Sequence, residues 1–429
     1  MSPPDVPPPG WAELVRTYRP AVEGMLLGGI LPFWERALDR VHGGVFSCWD
    51  NAGRHLRSRN KFTWSQGRVT YLWCRVADRL ERLGRPGEAA AWRAEASRTA
   101  DFLEANVFLP EDRCAFLLGE NGRPLEAFPG AGLAPSLYAD AFVALGLAEQ
   151  AAAAGDAGRL RRALALGDRL ARLIASGAPT HPDPVPAGFA AYAPAMILLN
   201  VRLVAEEACA RILPALAPAA KQATAAAAAD VRDQFLDACG VLRELRPHRP
   251  EDADTLLARH LNPGHALEGL WMLLDVAARA GRADWTRQAA AAVRTAWTGG
   301  WDAESGGLLH YVDAAGGALR GRRLGLPLEE RLLSSWDTKL WWVHSEALYA
   351  CLLAYRQTGE PALAEAFRRT WDYVGRTFPH PDPAVGEWIQ IRDRAGRPLE
   401  QVVALPVKDP YHIARNLLQL LALFDENAP

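Results

Sequence analysis

Apolar residues recur along most of this chain with helical spacing, in long runs of Ala, Leu, Arg and Glu that Gly and Pro interrupt. Breaking the pattern at those residues predicts about twelve helices, starting near Trp11, Thr63, Pro86, Pro135, Gly158, Tyr192, Pro218, Pro263, Asp284, Asp337, Pro361 and Pro410. A shorter pattern lies between some of them: "FSCWDNAGRHL" from Phe46, "AFLLGENGRPL" from Ala115, "LLHYVDAAGGAL" from Leu308 and "WIQIRDRAGRPL" from Trp388. Each joins a few strand-forming residues to a Gly-containing turn and a returning Leu, the sequence form of a small hairpin.

Helices on short connections, with hairpins at intervals, predict an all-α (α/α)6 barrel, a toroid of alternating inner and outer helices with hairpins at one rim. A helical solenoid would carry a regular repeat of about 30 to 50 residues, and none is present. In an alternating barrel the helices of one parity share a direction, so their N-termini surround one mouth. The even-numbered helices carry the chemically rich stretches: "KFTWSQGR" from Lys61, "SLYAD" from Ser136, "YAPAMILLN" from Tyr192, "NPGHALE" from Asn262, "WDTKLWWVHSEAL" from Trp336 and "DPYHIAR" from Asp409. Odd ones, such as "RLRRALALGDRLARLI" from Arg159, show charged outer faces.

Composition narrows the partners. The 429 residues, 49% hydrophobic and 23% charged, suffice for a large buried core, read as one barrel domain over residues 11–429 behind a mobile, proline-rich lead-in at residues 1–10. That lead-in lacks the apolar core of a secretory signal. Lys and Arg total 48 against 50 Asp and Glu, so no global field recruits nucleic acid or an anionic membrane, and the expected partner is small. No apolar run approaches the roughly eighteen residues of a membrane span. Six scattered cysteines without C-x-x-C or metal-ligand spacing fit a reduced, cytoplasmic protein.

Two stretches share a design. In "NPGH" and "DPYH", Asn262 or Asp409 can cap a helix, Pro263 or Pro410 suits its first position, and His265 or His412 falls at the third. Both imidazoles then sit at the positive end of a helix dipole, which favours the neutral ring, able to take a proton from carbon. Glu268, three residues beyond His265, shares its helical face and can orient it or bind a substrate hydroxyl. The histidines at 42, 55, 181, 248, 260, 310 and 380 are read as structural or exposed. His344 and Glu346 are read as a local pair. Trp64, Trp341 and Trp342 suit either a barrel core or a sugar site. Arg68, pointing inward, needs a partner when buried.

With "KFTWSQGR", "NPGHALE", "KLWWVHSEAL" and "YHIAR" in that order, the chain resembles the N-acylglucosamine 2-epimerase family, from "GGVFSCWDNAG" at Gly43 to the last helix. The resemblance implies an (α/α)6 barrel that epimerises or isomerises free reducing sugars at C2, without a metal or other required cofactor, through an enediolate. It implies His265 and His412 as the acid/base pair, with Arg68 and Glu268 near the reacting end of the substrate. On the same helices, Trp64, Tyr138, Asp140, Asn200, Trp341, Trp342 and Arg415 are expected substrate contacts. The absence of a histidine from "AAYAPAMILLN" is closer to the N-acylglucosamine branch than to mannose isomerases or cellobiose epimerases. Some members of that branch respond to nucleotide, but no G-x-x-x-x-G-K-[ST] loop occurs and no nucleotide site is assigned. A homodimer is compatible with the resemblance.

Inverting C2 is simplest with a base on each face of the carbon, which two histidines supply, whereas aldose-ketose isomerisation needs only one. Two other functions compete. A glycoside hydrolase on a helical toroid would use two of Glu268, Asp337, Glu346 and Asp140; a non-catalytic sugar-binding protein would need neither histidine.

Overall fold

The computed structural model describes residues 6–110, 113–182, 184–403 and 405–426. Six helices form the inner ring: α3 (Thr63–Arg82), α5 (Tyr138–Ala154), α7 (Tyr192–Ile212), α10 (Pro263–Arg279), α13 (Trp341–Thr358) and α15 (Tyr411–Asp425). Each packs on the next, and α15 closes the ring against α3. Outside run α1 (Trp11–Gly24), α4 (Pro86–Asn106), α6 (Ala157–Ala175), α8 (Ala217–Phe235), α11 (Ala283–Gly300) and α14 (Pro361–Thr377). This is the predicted (α/α)6 barrel, with the predicted parity.

The two layers differ because their sequences differ. In α6 only a stripe, Leu160, Ala163, Leu166, Gly167 and Leu170 beside Arg159, is buried, whereas α5 is buried almost continuously from Ala139 to Ala152. A helix apolar all round needs neighbours on every side, which the inner ring supplies. Glycine sets the closest crossing: a Cβ on Gly67 would lie 2.1 Å from the Phe142 carbonyl oxygen, and one on Gly146 2.3 Å from that of Gly67. The backbones of α3 and α5 therefore touch.

Short strands set the inner helices at the mouth. β1 (Lys61–Phe62) pairs antiparallel with β2 (Leu117–Leu118), which pairs with β3 (Pro124–Leu125). The pairs β4 (Phe189–Ala191) with β5 (Leu245–Pro247), β6 (His260–Leu261) with β7 (Val312–Asp313), and β8 (Lys339–Leu340) with β9 (Ile391–Arg392) precede α7, α10 and α13. Only "AFLLGENGRPL" pairs two strands within itself; the Leu308 and Trp388 turns lend their strands to the residues leading into inner helices. Long-range pairing of this kind has no local sequence signal.

Buried lysines fasten the same rim. Lys61 Nζ reaches Asp39 Oδ2 at 2.6 Å and the Gly43 carbonyl at 2.7 Å. Lys339 Nζ repeats the arrangement with Asp302 Oδ2 at 3.0 Å and the Gly306 carbonyl at 2.7 Å. Lys408 holds Glu387 at 2.7 Å and the Trp388 carbonyl at 2.6 Å. Each buried ammonium has both a counter-ion and carbonyl acceptors, the condition for burying it.

Three features depart from the sequence reading. The first helix divides into α1, a π-helical turn (Met25–Ile30) and α2 (Leu31–Arg36). Two short helices, α9 (Leu256–Arg259) and α12 (Pro327–Ser335), were not expected, although Pro327 followed by Glu329 and Glu330 is a legible helix start. Residues 1–5 of the lead-in lie outside the described residues, while the Pro9 carbonyl accepts from the Tyr355 hydroxyl. Among the described residues, no helix is long and apolar enough to cross a membrane, and the six cysteines are free.

Candidate active site

The helix N-termini at the mouth surround a cavity of about 240 Å3 that both designed stretches line. α10 begins as its sequence dictates: Asn262 Oδ1 accepts from the His265 N–H at 3.1 Å, Pro263 takes the first position and His265 the third. The glycine between them answers to a neighbour, because a Cβ on Gly264 would lie 2.4 Å from the Trp342 ring. α15 begins differently from expectation. Pro410 holds the cap position and His412 the second; Asp409 Oδ1 accepts from the Tyr411 N–H at 2.7 Å, while its other oxygen meets Arg68 Nη1 at 2.5 Å.

Each histidine is held by a carboxylate from another element. His265 Nδ1 lies 3.0 and 3.1 Å from the two oxygens of Glu244, in the residue before β5. His412 Nδ1 lies 2.7 Å from Glu346 Oε1 on α13. A carboxylate only accepts, so Nδ1 carries the hydrogen in both rings and Nε2 is left as the basic nitrogen. Trp342 neighbours both rings, its centroid 5.1 Å from that of His265 and 5.7 Å from that of His412.

The electrostatics of the two rings diverge. Burial drives His412 down to about 3, with Arg68 and Arg415 opposing charge as well, so it is neutral near pH 7. Burial also presses on His265, but Glu244 outweighs it and the ring's pKa is raised. Glu244 responds in kind: burial alone would raise it, and His265 brings it below the usual range. The neutral ring expected at both helix starts is therefore found at His412, where burial and not the helix dipole accounts for it, and not at His265. A carboxylate at contact distance exceeds a dipole's partial charge.

Arg68 is buried, as its inward direction implied, with Asp409 as its partner and the rings of Phe142, Trp64 and Tyr411 at 4.1, 4.6 and 4.8 Å. Trp64, Tyr138, Trp341, Trp342 and Glu268 line the cavity with it. Glu268 does not orient His265. Its Oε1 accepts from Arg415 Nη2 at 2.9 Å and lies 3.8 Å from His412 Nδ1. Glu268, Glu346 and His412 also place ligand-type atoms within 4.8 Å of one another, and the positive charge at that cluster belongs to Arg415.

Three expected substrate contacts stand behind the cavity wall instead of lining it. Asp140 is fully buried, accepting from Arg113 Nε at 3.1 Å and the Cys114 N–H at 3.0 Å. Asn200 donates to the Tyr411 hydroxyl at 3.0 Å. Arg415 bridges Glu268 and Glu346. Their helices reach the mouth, but these side chains point to neighbouring elements, which one helix's periodicity cannot reveal.

Other residues reach the cavity unannounced. Glu244 carries no motif; it arrives through the pairing of Ala191 with Leu245. His260 and His310, read as structural or exposed, are buried and line the cavity. His344 is structural: its Nε2 accepts from the Leu308 N–H at 2.8 Å and its Nδ1 faces the Leu340 carbonyl at 2.7 Å. Glu346, taken for its local partner, is instead the acceptor for Trp271, Asn416, Arg415 and His412.

Known proteins bear on this site. N-acylglucosamine 2-epimerase of Bos taurus is 29% identical over 408 residues, covering 91% of this chain and 87% of its own. That of Homo sapiens is 28% identical, covering 95% and 91%. The cellobiose 2-epimerase of Bacillus thermoamylovorans superposes with a TM-score of 0.72 at 18% identity, over 95% of this chain and 100% of that one. A D-mannose isomerase gives 0.73 at 16%, over 95% and 99%. These two show a shared fold. Matched over residues 44–415 by the N-acylglucosamine 2-epimerase family model, the chain belongs to that family and is an enzyme acting on carbohydrates.

Proposed function

We propose that this enzyme inverts C2 of a free reducing sugar, N-acylated or unmodified, with His265 and His412 as its acid/base pair. The observation that carries the reading is that two imidazoles, both neighbours of Trp342, line one cavity, each holding its Nδ1 hydrogen on a carboxylate and leaving Nε2 free of it. From the open-chain aldose, one Nε2 takes the C2 proton, its electron pair moves toward C1, and the carbonyl oxygen becomes an enolate oxygen, which is an enediolate when C2 carries a hydroxyl. The other histidine then gives a proton to the opposite face of C2. Electrons return to the same carbon, so the step needs no redox cofactor. Arg68 is the cation for the developing oxyanion.

For a sugar with a hydroxyl at C2, aldose-ketose isomerisation follows from the same enediolate if the O2 proton moves to O1 and the carbon proton returns to C1. The second imidazole favours epimerisation. Proton NMR in heavy water, with N-acetylmannosamine, N-acetylglucosamine, mannose, glucose, fructose and cellobiose, decides the matter. Loss of the C2 proton signal with a new epimer supports the proposal, and a new ketose supports the isomerase. If no sugar exchanges, or if His412→Asn retains turnover, the two-histidine reading fails.

A further inference from the structure

We propose that Glu244 is a positioning residue that makes His265 the proton-holding member of the pair in the free enzyme, while His412 is the base toward the epimer whose C2 proton faces it. The inference rests on the two-histidine reading and adds a division of labour to it.

The geometry points to unequal loading of the two carboxylates. Both oxygens of Glu244 meet His265 Nδ1, and among the described residues no other side chain hydrogen-bonds to them. Glu346 shares its charge among four donors, with Arg415, Asn416 and His412 on one oxygen and Trp271 on the other. An undivided carboxylate stabilises an imidazolium; one already matched by a guanidinium has little left to give. Position adds to the difference. The His265 side chain is 27% exposed and can exchange protons with solvent, whereas that of His412 is 8% exposed, with the cations Arg68 and Arg415 nearby. Other titratable groups also face His265: Glu268 on its own helix, Glu346 on α13, His260 on β6 and His310 beside β7. The last two are held neutral by burial, His310 at about 3, so they do not compete for the proton.

Glu244 is held independently of its partner, since its carbonyl accepts the Tyr192 N–H at 3.0 Å at the start of α7. In the proposed cycle His412 removes the C2 proton of one epimer and the His265 imidazolium returns one from the other side. Proton exchange with water then resets the pair, and the reverse reaction uses the opposite assignment.

The test is the pH profile of kcat/KM for the full-length enzyme on both epimers of whichever sugar it turns over, read on the epimer whose C2 proton His412 removes. Glu244→Gln keeps the size of the side chain and removes its charge. Its alkaline limb, which reports loss of the His265 proton, is expected to move down by about one to three pH units. Glu346→Gln is expected to lower kcat without that displacement, and Glu244→Asp, which keeps the charge, to restore the limb at least in part. An unmoved alkaline limb in Glu244→Gln, or an equal shift in both Gln variants, overturns the proposal. Should His265→Asn or His412→Asn retain turnover, the fault lies with the two-histidine reading itself, and the experiments separate the two failures.

Discussion

Glu346 Oε1 lies 2.7 Å from His412 Nδ1 and 2.8 Å from Asn416 Nδ2, and the same oxygen takes the Arg415 guanidinium. A single carboxyl oxygen thus orients a candidate base and balances a buried cation. Glu346→Ala leaves the buried Arg415 with Glu268 alone as counter-ion. The expected cost is roughly 3–5 kcal/mol, read as a lower urea midpoint with unchanged m-value. A loss under 1 kcal/mol would mean that Glu268 suffices as counter-ion.

Gly264 exists for Trp342. A side-chain carbon there collides with the indole at 2.4 Å and with a Val343 methyl at 2.8 Å. In Gly264→Ala the indole is expected to shift by about 1 Å, moving a cavity wall that neighbours both imidazoles. Turnover is expected to fall by about 10- to 100-fold, with little change in far-UV circular dichroism. Wild-type kcat/KM in this variant would show that the position of Trp342 is unimportant.

Buried neutral histidines couple stability to pH. His310, His344 and His412 are each brought to about 3 by burial, against about 6.5 in an unfolded chain. Below pH 6.5 the unfolded state binds protons that the folded state refuses. Stability is therefore fully present above about 6.5 and declines as pH falls toward 3. Each such ring contributes a slope approaching about 1.4 kcal/mol per pH unit in that window. Urea midpoints measured at pH 7.5, 6.0 and 5.0 should fall in that order, and His344→Gln should flatten the decline by about one ring's share. A midpoint independent of pH between 7.5 and 5.0 would contradict the account.

What the sequence determined is the part of the structure that local physics governs. Helical periodicity and Gly or Pro breaks placed the barrel helices, because an amphipathic or wholly apolar run has few ways to bury itself. Cap and proline chemistry placed His265 at the third position of α10, and a buried arginine's need for a counter-ion foretold that Arg68 had one. Where local chemistry was ambiguous the reading slipped, as at α15, where Pro410 takes the cap position and Asp409, one residue earlier, divides its oxygens between the Tyr411 N–H and Arg68.

The tertiary structure decided everything that depends on residues far apart in the chain. Glu244 reaches His265 through strand pairing, and Glu346 reaches His412 from a separate helix 66 positions away. Asp140, Asn200 and Arg415 turn to neighbours behind the cavity wall for the same reason. A helix's own sequence fixes which residues share a face but not what that face meets. The protonation preferences of the two histidines follow from their tertiary surroundings: Glu244 at 3.0 Å favours the charged His265 ring, whereas burial keeps His412 neutral despite Glu346.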